Sequence, residues 1–278
     1  MGLKDKKICF VGAGNMANAI IGGLVQQGLS ANNIIASAPS EEHLAQIKAN
    51  WGVQTSSDNT DSVKQSDVIV LSVKPQVLKQ VCEDLAPHLT HRPLIISIAA
   101  GIELKSLNAW LGQDQAIVRC MPNTPAQVLK GASGLIANSY VSTEQQALSS
   151  ELFSGIGIVE WLANEAQMHS VTALSGSGPA YIFLMIEAME AAAIKQGMSA
   201  ETARKLAAQT VLGAAQMVLN SDISPAQLKK NVMSPGGTTE RAIHVFEQNN
   251  LVGIVDQAMQ AAADRSEELA AILSSAKS

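Results

Sequence analysis

The sequence contains little of what proteins use to bind nucleic acids or anionic membrane surfaces. Of its 278 residues, 3% are aromatic and 15% are charged, and the formal net charge is -5. Few aromatic side chains leave little surface on which bases could stack, and an acidic balance provides no basic patch for phosphates. We therefore expect no nucleic acid and no membrane among the partners of this protein.

Long apolar runs are also scarce. The richest segment, residues 180–194, is interrupted by Glu187 and Glu190, whereas a membrane-spanning helix needs about 20 mostly apolar residues. The start of the chain carries Lys4, Asp5, Lys6 and Lys7 directly before a strand-like run, which is unlike a secretory signal peptide. These features predict a cytoplasmic protein without a transmembrane helix.

Cysteine is rare, and the three cysteines are far apart. Cys9, Cys82 and Cys120 lie in apolar surroundings and form no C-x-x-C pair of the kind that binds zinc or carries redox chemistry. They are expected to be buried, reduced thiols. His169 and His244 have no metal-ligand spacing to a carboxylate pair, so we expect no metal site and interpret both histidines as solvated or capping residues.

Short apolar runs rich in Val and Ile alternate with helix-like segments from residue 7 to about residue 121. Runs of this kind suit strands buried on both faces, and their alternation with helices predicts βαβ units and a parallel sheet. The predicted strands are 8–11, 34–36, 68–71, 94–98 and 116–118, with a weaker one at 52–53 and an extension of the sheet by 133–137 and 156–161.

From about residue 164 the pattern is helical only. Apolar residues recur at helical spacing in 203–218 and again in 251–273, which predicts a helical bundle. We expect two domains, residues 1–162 with the sheet and residues 163–278 with the helices. The apolar faces of the bundle are rich in alanine and methionine, which suits a core shared with a second subunit, although ordinary packing within one chain would give the same pattern.

A glycine loop connects the first predicted strand to a helix predicted at residues 18–27. Its sequence is Gly12-Ala13-Gly14-Asn15-Met16-Ala17, a G-x-G-x-x-A pattern. In this pattern the first glycine allows a tight turn, the second lets a pyrophosphate approach the backbone, and the small third residue permits close packing of helix on strand. The position within a βαβ unit predicts a dinucleotide site.

The second predicted strand ends without the acidic residue that usually binds the ribose hydroxyls of NAD. The segment reads Ala36-Ser37-Ala38-Pro39-Ser40, and small hydroxyl residues such as Ser37 would tolerate a 2′-phosphate. NADPH is therefore the preferred cofactor. NADH stays open, because no arginine follows to bind the phosphate and Glu41 and Glu42 lie nearby.

Further polar segments follow the later strands, at the edge where open α/β sheets bind ligands. They are Ser72-Val73-Lys74-Pro75, Ala99-Ala100-Gly101 and Met121-Pro122-Asn123-Thr124-Pro125. Lys74 suits either cofactor contact or a solvated position before a helix. Asn123 suits either a rigid turn or a role in shaping the backbone beside a nicotinamide.

The helical region carries two glycine motifs. Leu174-Ser175-Gly176-Ser177-Gly178-Pro179-Ala180 precedes a long helix that we expect to begin near Pro179. Ser234-Pro235-Gly236-Gly237-Thr238-Thr239 lies between two helices, and its free N–H groups and hydroxyls predict a cradle for a small carboxylate. A plain helix-capping turn is the alternative. No strand or G-x-S-x-G pattern surrounds Ser177, so we do not expect a serine hydrolase.

These motifs together resemble the Δ1-pyrroline-5-carboxylate reductase family over the whole chain. The resemblance implies an N-terminal Rossmann-type doubly wound sheet, a C-terminal helical dimerisation domain, and the reduction of L-1-pyrroline-5-carboxylate to L-proline, the last step of proline biosynthesis. It implies a homodimer, assembled into a larger ring such as a decamer. Its implied cofactor contacts include Asn59, Val73, Lys74, Ala99, Ala100 and Asn231, and its implied substrate loop includes Ser234, Gly236, Gly237, Thr238 and Thr239.

The chemistry expected at this loop is hydride transfer to a cyclic imine. Thr239 would donate a hydrogen bond to the imine nitrogen, and the substrate carboxylate would rest on the N–H groups of residues 236–238. A β-hydroxyacid dehydrogenase is a rival interpretation, but it calls for a lysine about one turn into the helix, and residues 179–193 contain none. A second rival is a protein that senses NADPH without turnover.

Overall fold

The computed structural model describes residues 2–112 and 114–275. The chain divides into two compact units, which we call the sheet unit (Met1–Ser177 with Ala262–Ser278) and the helical unit (Gly178–Ala261). The boundaries of these units differ from those of the predicted domains, 1–162 and 163–278. That the first domain binds the cofactor and the second forms the dimer stays a prediction.

The sheet unit is built on an eight-stranded sheet of order β3-β2-β1-β4-β5-β6-β7-β8. Strands β1 to β6 are mutually parallel, as predicted. The strands are β1 (Ile8–Val11), β2 (Ile34–Ser37), β3 (Gln54–Ser56), β4 (Val68–Leu71), β5 (Leu94–Ser97), β6 (Ile117–Met121), β7 (Gly131–Ala137) and β8 (Gly157–Trp161).

One detail of the sheet was not predicted, and another corrects the sequence-based prediction. β7 pairs antiparallel with β6, because the connection over residues 122–130 is too short for the crossover that a parallel pair needs. The weak run at 52–53 is not a strand, since Gly52 ends the preceding helix with a left-handed φ of 69° and β3 begins two residues later.

The inner strands of the sheet are buried on both faces, whereas the edge strands β3 and β8 are partly exposed. In β1, Ile8 and Phe10 belong to one apolar cluster while Cys9 and Val11 belong to the other, and all four are fully buried. This is why the parallel strands are continuously apolar rather than alternating. The helices of this part of the chain are α1 (Asn15–Gln26), α2 (Glu41–Trp51), α3 (Asn59–Lys64), α4 (Pro75–Leu85), α5 (Leu104–Leu111), α6 (Thr143–Ser154) and α7 (Gln167–Val171).

The second glycine motif opens a long helix at Gly178, as predicted for a start near Pro179, but helical backbone also precedes it. Helical backbone already starts with α7, passes through a π-helical turn over Thr172–Gly176 and continues as α8 (Gly178–Lys195). Ser177 N–H donates to the Thr172 carbonyl at 2.8 Å, the i to i+5 bond that defines this turn. Pro179 therefore lies inside a longer helical path.

That path bears on the expectation of no transmembrane helix. Among the described residues, Gln167–Lys195 has the length and mean hydropathy, 1.2 over an 18-residue window, that a membrane span needs. The two glutamates therefore do not exclude a span by composition alone. The same composition is found in helices that pack against other protein, and a single such helix is weak support for a membrane location.

The helical unit buries very little of its own apolar surface. Its elements are α8, α9 (Ala200–Leu219), α10 (Pro225–Asn231), α11 (Thr238–Gln248) and the first part of α12 (Leu251–Ser275). Within Gly178–Ala261 the buried hydrophobic residues are Ala203 and Ala207, whereas Phe183, Leu184 and Val252 are more than 60% exposed. The apolar periodicity predicted for these helices is present, but its faces are uncovered.

Candidate active site

The predicted dinucleotide loop has the backbone geometry that its glycines suggest. Gly12 has a φ of 109°, and a Cβ there would lie 2.7 Å from the carbonyl of Ser72, so no other residue fits. Gly14 is the N-cap of α1, and a Cβ there would meet nothing within 4 Å. The loop thus packs against the backbone of Ser72 at Gly12, and it has free space beside Gly14, at the positive end of a helix.

Hydrogen bonds connect this loop to the ends of the neighbouring strands. Gly12 N–H donates to the Ser37 carbonyl at 2.7 Å, and the Ser72 hydroxyl donates to the Gly12 carbonyl at 2.8 Å. The buried Ser37 hydroxyl donates to the Asn59 side chain at 2.6 Å. The structure therefore brings the predicted cofactor residues of β1, β2, β4 and α3 together. Ser37 positions Asn59, and its own hydroxyl is already engaged.

The remaining predicted cofactor residues of the sheet unit lie at the same edge. Lys74 is exposed and is the N-cap of α4, with Pro75 as the first helical residue. Ala99 is buried just after β5, and Ala100 beside it is exposed. In the loop at the start of α1, Ala13 and Ala17 are buried while Asn15 is exposed and Met16 is half-buried.

Asn231 differs from the other predicted cofactor residues because it belongs to the helical unit. It is the last residue of α10 and its side chain accepts a hydrogen bond from Gln227 at 2.8 Å. It lines a cavity of about 570 Å³ with residues of α9 such as Gly213 and Met217. Its role toward a cofactor stays a prediction.

The predicted substrate loop is a tight turn at the start of α11. Gly236 has a φ of 69°, and Gly237 is the N-cap of the helix. Gly237 N–H donates to the Ser234 carbonyl at 2.9 Å, and Gly236 N–H donates to the Glu240 carboxylate at 2.8 Å. The first two N–H groups of the predicted cradle are therefore already bonded within the protein.

The free donors lie one step further along the chain. Among the described residues, no acceptor contacts the N–H groups or the hydroxyls of Thr238 and Thr239. Thr238 is exposed and Thr239 is half-buried. The open part of the loop consequently consists of two N–H groups and two hydroxyls at the positive end of α11.

Sequence reasoning missed an ion pair of a buried arginine in strand β6. Arg119 of β6 is paired with Glu165, which precedes α7, and the arginine side chain is 5% exposed. Burial lowers the pKa of Arg119 to about 10, and the nearby Glu103 carboxylate opposes this shift. The signal in the sequence was an arginine within an otherwise apolar strand, since a buried charge requires a partner.

The expectations for histidine and cysteine had different outcomes. His169 is buried, and its Nδ1 lies 2.9 Å from the Ser266 hydroxyl, so interpreting it as solvated was wrong; His244 is exposed. The three cysteines are free and buried, as predicted. Burial raises the pKa of Cys9 and Cys82 to about 12, which keeps both thiols protonated at neutral pH.

The fold and the loop define the class of this protein. A parallel sheet with helices on both faces, and a glycine loop that opens the first helix, is the arrangement of dinucleotide-dependent oxidoreductases. Residues 7–101 match a family described as NADP oxidoreductase, coenzyme F420-dependent.

More specific similarities extend over nearly the whole chain. Residues 165–269 match the pyrroline-5-carboxylate reductase dimerisation family. A pyrroline-5-carboxylate reductase of Pseudomonas aeruginosa is 53% identical over 268 residues, which cover 96% of this chain and 98% of that one. The chain belongs to the pyrroline-5-carboxylate reductase family.

Solved structures agree with this assignment. A pyrroline-5-carboxylate reductase from Coxiella burnetii has a TM-score of 0.92 at 44% identity, covering 95% of this chain and 98% of that chain. The pyrroline carboxylate reductase of Plasmodium falciparum, solved with NADP bound, has a TM-score of 0.87 at 32% identity and covers 97% of this chain and 100% of that chain.

Proposed function

We propose that this protein reduces L-1-pyrroline-5-carboxylate to L-proline with NADPH. The observation that carries the proposal is the loop Ser234–Thr239, which offers unpaired N–H and hydroxyl donors at the start of α11 in a member of this family. A small carboxylate beside an imine nitrogen is the ligand that such a donor set suits.

The cofactor fits the residues of the sheet unit. The pyrophosphate would approach the backbone at Gly14, where a side chain is missing and space is open, and would accept hydrogen bonds at the N-terminus of α1. Asn59, held by Ser37, and Lys74 would bind the ribose and phosphate groups. The cofactor supplies the hydride when it is bound.

NADPH is the preferred cofactor in this proposal, with NADH as the alternative. No carboxylate stands directly at the end of β2, where Ser37 and Ala38 are buried and Pro39 is exposed. The nearest acidic residues, Glu41 and Glu42, lie in the first turn of α2. The Plasmodium falciparum relative was solved with NADP bound, which supports the same choice.

The substrate loop binds and orients the imine. The substrate carboxylate would accept from the N–H groups of Thr238 and Thr239, since those of Gly236 and Gly237 already have acceptors. The Thr239 hydroxyl would donate to the imine nitrogen, which makes the adjacent carbon a better hydride acceptor. A threonine hydroxyl is too weak an acid to protonate the nitrogen, so the proton comes from solvent or arrives with the substrate.

The proposal includes a cytoplasmic homodimer that assembles into a larger ring such as a decamer. The helical unit exposes extensive apolar surface and buries almost none of its own, and a dimerisation family matches residues 165–269. An apolar surface of this extent is typical of an obligate subunit interface.

The first experiment follows oxidation of NADPH and of NADH separately by absorbance, with purified protein and pyrroline-5-carboxylate. The proposal expects substrate-dependent oxidation, faster with NADPH. Cofactor binding without turnover would contradict it and favour the sensor interpretation.

The second experiment tests Thr239. Thr239→Val keeps the shape and removes the hydroxyl, and we expect kcat/KM to fall by roughly one to two orders of magnitude, the usual worth of a hydrogen bond to a charged group. Thr238→Val, one residue earlier in the same turn, is the matched control. The logarithm of its decrease in kcat/KM should be less than half of that for Thr239→Val. Wild-type kinetics in Thr239→Val would remove Thr239 from the mechanism.

A further inference from the structure

Asn123 joins the end of strand β6 to the π-helical turn Thr172–Gly176. Its side-chain NH₂ donates to the Ser175 carbonyl at 3.0 Å, and its side-chain oxygen accepts from the Ala132 N–H at 2.9 Å. Asn123 is only 8% exposed, so both bonds are shielded from water. One buried amide thus connects three segments of the sheet unit.

The sequence explains why Ser175 needs this donor. In an α-helix the Ser175 carbonyl would accept from the N–H of residue 179, four positions further on. Residue 179 is proline and has no N–H. The Asn123 side chain supplies a donor at the carbonyl that Pro179 leaves without its α-helical partner.

A second contact holds the same turn against the same strand end. A Cβ at Gly176 would lie 2.7 Å from the Met121 methyl group, so the backbone of the turn packs closely on the last residue of β6. The turn is also fixed internally by the bond from Ser177 N–H to the Thr172 carbonyl. Single π-helical turns are rare in proteins and are frequently found at functional sites.

We propose that Asn123 is a positioning residue that holds the π-helical turn Thr172–Gly176 for the reductase reaction. It acts by fixing the backbone of Ser175, Gly176 and Ser177 at the edge of the sheet where the dinucleotide loop also lies. This inference rests on the proposed function and adds to it a residue that acts through the backbone of the turn.

The test is Asn123→Asp with a matched control. Aspartate still accepts from the Ala132 N–H, but it loses the donor and places an oxygen against the Ser175 carbonyl. The control is Asn138→Asp, just after β7 and beside the start of β6, where the Asn138 side chain donates to the Gln115 carbonyl at 2.8 Å and to the Asn108 side chain at 2.9 Å, and accepts from the Ile117 N–H at 3.2 Å. Both variants remove an amide donor from a main-chain carbonyl, at a buried position for Asn123 and at a half-buried position for Asn138.

Hydrogen exchange of residues 172–178 is measured first, because it does not depend on activity. We expect Asn123→Asp to speed exchange of the Ser177 N–H at least tenfold and to lower kcat/KM at least tenfold. Asn138→Asp should leave the exchange rate of the Ser177 N–H and kcat/KM within twofold of wild type. This expectation holds whatever each variant does to the melting temperature. Unchanged exchange in Asn123→Asp, or faster exchange with kcat/KM within twofold of wild type, would overturn the proposal.

A pH profile and a double-mutant cycle separate positioning from general destabilisation. Once protonated, the carboxyl group introduced by Asn123→Asp can again donate to Ser175, so the activity of this variant relative to wild type should rise as the pH falls. Pro179→Ala restores the missing N–H, and in that background Asn123→Asp should cost at least threefold less. Two results together would overturn the proposal. The activity of Asn123→Asp relative to wild type would not change with pH, and Asn123→Asp would lower kcat/KM as much in the Pro179→Ala background as in the wild-type background.

Should Asn123→Asp fail to fold, Asn123→Ser replaces it, and the criteria for hydrogen exchange, kcat/KM and the double-mutant cycle stay the same. A wild-type protein that lacks pyrroline-5-carboxylate reductase activity would refute the proposed function. The exchange measurements would still show whether Asn123 holds the turn, so the two failures are distinguishable.

Discussion

The two glycines of the dinucleotide loop differ in what surrounds them. Gly12 has a positive φ and packs against the backbone of Ser72, whereas Gly14 has an ordinary extended conformation beside open space. The first is required by the fold, and the second is needed only if a ligand approaches the backbone.

This difference gives opposite expectations for the same substitution. Gly12→Ala should lower the free energy of unfolding by about 2 kcal/mol or more, because of its φ and the contact with Ser72. Gly14→Ala should change stability by less than about 0.5 kcal/mol and weaken NADPH binding at least tenfold. Urea unfolding and NADPH fluorescence titration measure the two quantities. Unweakened NADPH binding in Gly14→Ala would argue against a pyrophosphate at this position.

Glu240 places a carboxylate in the loop that is proposed to bind the substrate carboxylate. Glu240→Gln keeps an acceptor for the Gly236 N–H and removes the charge. We expect the KM for pyrroline-5-carboxylate to fall about two- to fivefold, since repulsion between like charges is removed. Glu247→Gln, at an exposed position of the same helix, is the control and should leave KM unchanged. A higher KM in Glu240→Gln would mean that the charge itself shapes the loop.

Among the elements, β6 connects several features of the site. Its Arg119 is paired with Glu165 before α7, and the residues beyond its end contact the π-helical turn. The ion pair and Asn123 thus hold Glu165 and Ser175, on either side of α7, against β6 and the residues that follow it.

Removing one partner of the pair should be costly. Glu165→Gln keeps an acceptor but leaves the buried Arg119 cation without a partner of opposite charge, and we expect a loss of about 3 kcal/mol in the free energy of unfolding. Glu103→Gln, which removes a nearby but uncontacted carboxylate, should cost less than about 1 kcal/mol. Denaturant unfolding of both variants measures the difference. Equal losses would show that the arginine is stabilised by the general acidic surroundings rather than by Glu165.

For the whole molecule, the uncovered apolar faces of the helical unit are the main physical fact. A unit with only two small buried hydrophobic side chains has too little core to fold alone in water. The proposed dimer would cover these faces, and it also accounts for an exposed apolar helix long enough to span a membrane.

The assembly is tested by a pair of charge substitutions. Leu184→Glu in α8 and Val128→Glu in the sheet unit alter leucine and valine side chains of similar exposure, 66% and 69%. We expect Leu184→Glu to abolish the dimer or cause aggregation, because it buries a charge in the interface, while Val128→Glu keeps the wild-type mass. Light scattering after size-exclusion chromatography measures the mass. An unchanged mass for Leu184→Glu would place the interface elsewhere, and a wild-type protein that needs detergent would support a membrane location.

Much of this architecture could be predicted because its signals are local. The parallel strands are continuously apolar since both faces of the sheet are covered, and Gly12 and Gly14 follow the first strand directly. The direction of β7 could also have been inferred from the short connection before it. The π-helical turn, by contrast, depends on Asn123 reaching Ser175 from far along the chain, and periodicity contains no trace of that contact.

The sequence by itself determined the class of fold, the dinucleotide loop and the family, because these depend on glycine spacing and on apolar runs of fixed length. Only the tertiary structure decided which loop N–H groups are free, how Asn123 and Arg119 are used, and that the faces of the helical unit are uncovered. The physical reason is that hydrogen-bond satisfaction and burial depend on residues distant in sequence, whereas backbone conformation and periodicity are set by near neighbours.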